Sequence, residues 1–274
     1  MKRFAAIACA LAFAGAAQAE DGWRLGVGAD YSSGDYGSDV TTRIFSVPVS
    51  ARYTTGDWVF RASLPWMRVD GDANVVPGLG TVNNTNPDGR GRGHGNGNGN
   101  NPNPDPEPVP GETTTGVTSG IGDLRLSATW QVPTQGPWGV DLTGNVKVAT
   151  ADEDKSLGTG ANDYGVAVDV FRDFNGTTAF GGVSYTFMGD SDFIDVDSVG
   201  GLNLGVSRKV GDGSYGAMYD WRQAASDDSD DRSEVTGFYS FPTGDASKMQ
   251  LYGTAGLSDG SPQWAAGLSF TTDF

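Results

Sequence analysis

Cysteine is nearly absent from the 274 residues: the one cysteine, Cys9, sits inside an apolar N-terminal stretch. Without that stretch the chain has no thiol, so a disulfide framework is not available to hold the fold. Histidine is as scarce. The single His94 lies in a Gly/Asn tract that no strand borders, so nothing orients it as a general base and no companion ligand stands beside it for a metal. An enzyme, a cofactor and a metal centre are therefore not expected. Long apolar runs are also missing. Past the N-terminal stretch no segment of roughly twenty apolar residues occurs, which excludes helical membrane spans. Basic charge is short too, with 18 Lys and Arg against 34 Asp and Glu. A surface of that sign repels nucleic acid, which is excluded as a partner.

The N-terminus is informative. Met1-Lys2-Arg3, an apolar run from Phe4 to Ala16 and Ala17-Gln18-Ala19 form a basic region, an apolar region and an A-x-A cleavage site, so a secretory signal peptide is expected over 1–19. Cys9 lies mid-run, not at its end, as a lipoprotein would require. The remaining residues, 20–274, read as one β domain.

Twelve stretches alternate apolar with polar residues: 23–32, 41–54, 58–70, 121–132, 138–150, 163–172, 177–188, 199–210, 214–224, 233–241, 249–258 and 263–274. A period of two over about ten residues is a strand with one apolar and one polar face. Tight turns, such as Thr55-Gly56-Asp57 and Gly211 to Gly213, alternate with connections that are mostly longer and acidic, such as Asp227-Asp228-Ser229-Asp230-Asp231. Both termini fall on the short-turn side. This is the layout of a 12-stranded antiparallel transmembrane β-barrel of the outer membrane.

A soluble lipocalin-like barrel would alternate too, with its apolar face inward. Tryptophan favours the membrane barrel. All seven, Trp23, Trp58, Trp66, Trp130, Trp138, Trp221 and Trp264, lie on the apolar parity near strand ends, four toward the short turns and three toward the long loops. Two aromatic girdles are what two lipid interfaces call for. The last strand, with Trp264, Leu268, Phe270 and Phe274 on one face, resembles the terminal signature of proteins assembled into the Gram-negative outer membrane.

One connection is out of scale. Residues 71–119 carry a Gly/Asn tract followed by alternating prolines, and a disordered external loop is expected; folding into the lumen as a constriction is the alternative. The acidic connections are expected to face lipopolysaccharide and to gather divalent cations loosely. Asp152, Glu153, Asp154 and Asp163 depart from a calcium loop, with Leu157 at the position of its central glycine.

The polar parity names the lumen. Its basic candidates are Arg24, Arg52, Arg61, Arg125, Lys147, Lys209 and Arg222, and its acidic ones Asp30, Asp123, Asp141, Asp169, Asp220 and Glu234. Seven against six is nearly balanced, so strong ion selectivity is not expected. Balanced charges either pair across the barrel and fill it or leave a narrow wetted path. In the hairpin 121–150, a turn centred on Gln135 would place Trp130 opposite Val140 and Asp123 opposite Lys147.

Gly120-Ile121-Gly122-Asp123-Leu124, Val146-Lys147-Val148 and Leu157-Gly158-Thr159-Gly160-Ala161-Asn162-Asp163, with Ser63-Leu64-Pro65-Trp66 and Ser184-Tyr185-Thr186-Phe187-Met188-Gly189, resemble the transporter-like outer-membrane barrel family labelled for the meta-pathway of phenol degradation. The specific part covers about forty residues. Where that family has a hydrophobic residue and Pro-Thr-Gly after the lysine, this chain has Val148-Ala149-Thr150-Ala151. The resemblance implies a barrel that passes small hydrophobic or aromatic compounds. Only Glu20, Asp21 and Gly22 precede Trp23, too few for an N-terminal hatch. The expected function is a passive channel; the alternative is a structural or surface-interaction barrel with a filled, non-conducting lumen.

Overall fold

The computed structural model describes residues 21–91, 114–227 and 229–274. The expected signal peptide, His94 and the greater part of the Gly/Asn/Pro tract lie outside these described residues. Fifteen strands are present among them: β1 (Gly22–Gly34), β2 (Thr42–Thr55), β3 (Trp58–Asp72), β4 (Val75–Val76), β5 (Gly80–Thr81), β6 (Thr115–Ile121), β7 (Leu124–Val132), β8 (Trp138–Val148), β9 (Asp163–Phe174), β10 (Thr177–Phe187), β11 (Val199–Val210), β12 (Gly213–Arg222), β13 (Arg232–Pro242), β14 (Ser247–Gly256) and β15 (Trp264–Asp273).

All but β4 and β5 belong to one antiparallel sheet that closes on itself, since β1 pairs with both β2 and β15 and β3 pairs with β2, β6 and β7. β6 and β7 are two halves of one wall position. The barrel is thus twelve-stranded. Tight turns join the strands at one end; Asn175 (φ 56°) and Gly176 (φ 89°) both take left-handed conformations, the geometry a two-residue Asn-Gly hairpin requires.

The alternation sets inside from outside. Val27, Val49, Val166, Leu204 and Leu268 point out and are 40–60% exposed, on the parity facing away from the lumen. Six of the seven tryptophans are 37–53% exposed on that same outer face, and Trp221 is half-buried. Near the short turns Trp58 stacks on Trp130 (6.5 Å) and Trp23 packs on Tyr53 (4.8 Å); near the long loops Tyr31 packs on Trp264 (5.4 Å). Arg172 leans over the rings of Trp138 (5.0 Å) and Phe174 (4.7 Å), an apolar stem at the interface with its charge toward water. By the short-turn rule that end is periplasmic.

Two expectations are corrected. The β7–β8 turn is centred on Gly136 (φ 94°), not Gln135, so Trp130 faces Leu142 and Lys147 faces Arg125 in place of Asp123. The slip is two residues, which leaves every side chain on its face of the wall. The second concerns the segment expected to be an external loop from 71 to 119. β3 runs on to Asp72, β6 begins at Thr115, and residues between Ala73 and Arg90 fold inward as a compact plug in which Ala73, Val75, Val76, Val82, Asn84, Asn86 and Arg90 are at most 1% exposed. Val76-Pro77-Gly78-Leu79 is a type II turn, with Pro at its second position, Gly78 at φ 87° in the third, and Leu79 N donating to Val76 O (3.0 Å).

Candidate functional site

The plug is held by loops that also fold inward. Asn84 Nδ2 (3.0 Å) and Arg90 N (3.2 Å) both donate to Ser156 Oγ, and Thr85 N donates to Phe193 O (2.9 Å). Arg90 Nη2 donates to the carbonyls of Asp72 (2.5 Å) and Val75 (2.6 Å), tying the plug's end to its start. Burial draws the Arg90 guanidinium down to about 10 against the pull of Asp72 and Asp70, so it stays charged at neutral pH. A small apolar core of Val76, Val82 and Ile194, with Leu79, Phe193 and Val196 against it, joins the plug to the β10–β11 loop. At the tip, Arg222 of β12 donates to the carbonyls of Gly78 (2.7 Å) and Leu79 (2.8 Å). The guanidinium fork is thereby used on a loop that must bury its backbone inside a barrel.

The motifs that carried the family resemblance converge beneath this plug. Lys147 Nζ lies 2.7 Å from Asp163 Oδ2 and 3.6 Å from Asp123 Oδ2, and donates to Thr159 Oγ1 (2.9 Å). The Asp123 carboxylate also accepts from Thr150 N (3.1 Å) and Ala151 N (3.0 Å), which fixes the start of the β8–β9 loop. Asn162 Oδ1 accepts from Ala149 N (2.8 Å), and Leu157 is buried with Met67 and Val69. A Cβ at Gly158 would press on that Asp123 carboxylate, so the glycine lets the loop come this close. The motif is a clasp that closes the β8–β9 loop over the lumen.

Below the plug is a cavity of about 320 Å³. Of the lumen candidates, Arg24, Arg52, Arg61, Asp123, Arg125, Lys147, Asp169, Asp220, Arg222 and Glu234 line it. Asp30, Asp141 and Lys209 do not. Asp30 faces inward beside Gly267, Asp141 is buried opposite Asp169 in the β8–β9 register, and Lys209 is exposed near the periplasmic turn. The cavity also takes in Asp163, Arg232, Met218 and the hairpin tip from Val76 to Leu79, which sequence reasoning did not place there. Arg232 was legible, two residues before Glu234 on the same parity, and it pairs with that carboxylate through Nε (2.6 Å) and Nη2 (2.8 Å).

The lumen is divided lengthwise. Phe171, Phe180, Phe238 and Tyr252 share the inward parity of Asp169, Ser184, Glu234 and Thr254, and each faces a glycine in register: Gly139, Gly205, Gly216 and Gly267. A Cβ at any of these glycines would overlap the ring, so the rings lie flat on the wall. Phe180, Phe238, Tyr252 and Met218 form a core inside the barrel on the β10–β14 side. Toward the short turns the opposite wall stays open, and nearer the long loops the cavity also reaches Ser184, Asp220 and Glu234 on the β10–β13 side. On the open wall Arg24 faces Arg52 and Arg52 faces Arg61 across β1, β2 and β3, and the cavity follows this wall from Arg24 and Thr271 up to the hairpin.

No protein-family model matches the sequence, and no curated protein matches it. Among solved structures the chain superposes on an outer membrane channel from Pseudomonas putida F1 with a TM-score of 0.62 at 14% identity, covering 93% of this chain and 96% of that one. The NanC porin gives a TM-score of 0.51 at 9% identity, with 91% and 100% covered. At these identities the likeness is one of fold. Joined to the lipid-facing exterior, it makes the chain a closed twelve-stranded antiparallel barrel of the outer membrane.

Proposed function

We propose that the barrel is a passive channel for small molecules of the hydrophobic or aromatic class that the meta-pathway resemblance implies, with the plug hairpin as its constriction. The carrying observation is the lengthwise division toward the short turns: aromatics fill one side of the lumen there while a cavity persists along the arginine wall as far as the hairpin tip. Passage down such a path needs positioning and no chemistry. In this reading the acidic loops around Asp152 to Asp154 and Asp190 to Asp197 meet lipopolysaccharide and divalent cations. Planar-bilayer recordings of the purified barrel, native and with Val75 to Thr81 replaced by a short Gly/Ser linker, test it. Small discrete steps in the native protein and larger steps in the linker variant are expected.

The second reading, a filled barrel that conducts nothing, is favoured by the buried apolar seam between the hairpin and the β10–β11 loop. Absence of steps in both proteins, each verified as folded by heat-modifiable migration, would falsify the channel and leave this reading.

A further inference from the structure

We infer that the cavity is a binding site for small apolar monocarboxylates, recognised by Arg52, Arg61 and Arg125. The inference deepens the channel reading and rests on it for the route by which such a solute reaches the site. Arg52 and Arg61 face each other directly in the β2–β3 register, and Arg125 lies on β7 opposite Ser63, two residues along β3 from Arg61. All three line the cavity. Among the described residues none of the three has a carboxylate within ion-pair distance; Asp169 acts on Arg61 and Asp123 and Asp163 on Arg125 from farther off, and Arg52 Nε is buried without a hydrogen-bond partner. The neighbouring cations are already engaged: Arg24 with Asp273, Lys147 with Asp163 and Asp123, Arg232 with Glu234, and Arg222 with the hairpin carbonyls.

Adjacent guanidinium groups on neighbouring strands repel each other, and like charges directly opposed destabilise a sheet. An anion between them removes that repulsion and receives paired N–H donors of the geometry that suits a carboxylate. The rest of the cavity narrows the class. Its roof is Val76, Pro77 and Leu79 and one side is Met218, which give a ring an apolar body contact, while Asp169, Asp220 and Glu234 on the remaining lining repel a second carboxylate. About 320 Å³ is at the lower end of small-ligand pockets, room for a single-ring acid.

Benzoate, its neutral isostere benzamide and the hydrophilic acid glucuronate are the probes, in equilibrium dialysis against the folded barrel in detergent. Saturable benzoate binding is expected, with benzamide and glucuronate each at least about tenfold weaker, and with Arg52→Gln/Arg61→Gln losing about tenfold or more. Arg52→Lys/Arg61→Lys, which keeps both charges, should stay within a few-fold, and Arg172→Gln on the outer wall should change nothing. Equal binding of benzamide, equal binding of glucuronate, or native-like benzoate binding in the folded glutamine variant each overturns the assignment. Where the glutamine variant does not fold, the three-probe comparison on the native barrel decides. Conductance in potassium chloride is read separately. A conducting barrel without benzoate preference keeps the channel and removes the carboxylate site, whereas benzoate binding in a non-conducting barrel keeps the site and removes the channel.

Discussion

Lys147 ties β8 to Asp123, just ahead of β7, and to Asp163 of β9 on the extracellular side of the lumen. Its side chain and those of Asp123 and Asp163 are 8–10% exposed, and the ammonium is shared between the two carboxylates. Replacing one member of so buried a group leaves charge without compensation, so Lys147→Met should cost about 3 kcal/mol, read as a lower urea midpoint for loss of the heat-modifiable form. The double change Lys147→Met/Asp163→Asn should recover part of that loss. The inward aromatics give a second residue-scale test. Gly139→Ala would drive a Cβ into the Phe171 ring, whose atoms are its nearest neighbours, at a cost of about 1–3 kcal/mol in the same assay, and pairing it with Phe171→Leu should restore most of the midpoint, whereas a side chain at Gly216 would meet the Val206 carbonyl as well as the Phe238 ring. That Phe238 faces inward followed from its parity with Glu234. That it lies on Gly216 did not, because partners on different strands are set by turn lengths that the alternation does not contain.

At the scale of elements, the wall was legible and the plug was not. Period-two patterning fixes which residues face the lumen, so the inward sets survived even where the β7–β8 register slipped by two. For 73–90 the alternative expectation, folding into the lumen, is the one adopted, and the composition of 71–119 had hidden it by averaging. Apolar residues are concentrated in Ala73, Val75, Val76, Leu79 and Val82 at one end, while the glycines, asparagines and prolines that dominate the composition follow later. The Pro77-Gly78 turn signal and the asparagines that bond the plug to Ser156 and to the β8–β9 loop were visible in the sequence; their partners, some 70 residues away, were not. Because Arg222 holds the hairpin by two carbonyls alone, Arg222→Ala should loosen the tip without unfolding the wall. More frequent transitions to the larger conductance state are expected in single-channel records, with urea resistance close to native.

For the whole molecule, the outer face makes its own prediction. Six tryptophans are exposed toward lipid while Trp221 is half-buried, so lipid-borne bromine should quench the greater part of the fluorescence in reconstituted vesicles. Trp221→Phe should raise the quenched fraction, and Trp58→Phe should lower it. The charge balance also reads differently at this scale. Seven basic and six acidic candidates implied neutrality, but the register gathers Arg24, Arg52 and Arg61 on adjoining strands, so the positive charge is concentrated on the β1–β3 wall.

Phe274 N donates to Trp23 O, and Arg24 reaches Asp273 across 249 residues of chain. Read as a timetable, that seam means the first strand made is the last one satisfied. Until the final ten residues arrive, β1 and β14 are both open edges, and an open edge cannot rest in hydrocarbon because each bare amide there costs several kcal/mol. A barrel without the β1–β15 seam therefore has no stable half-built state in the membrane.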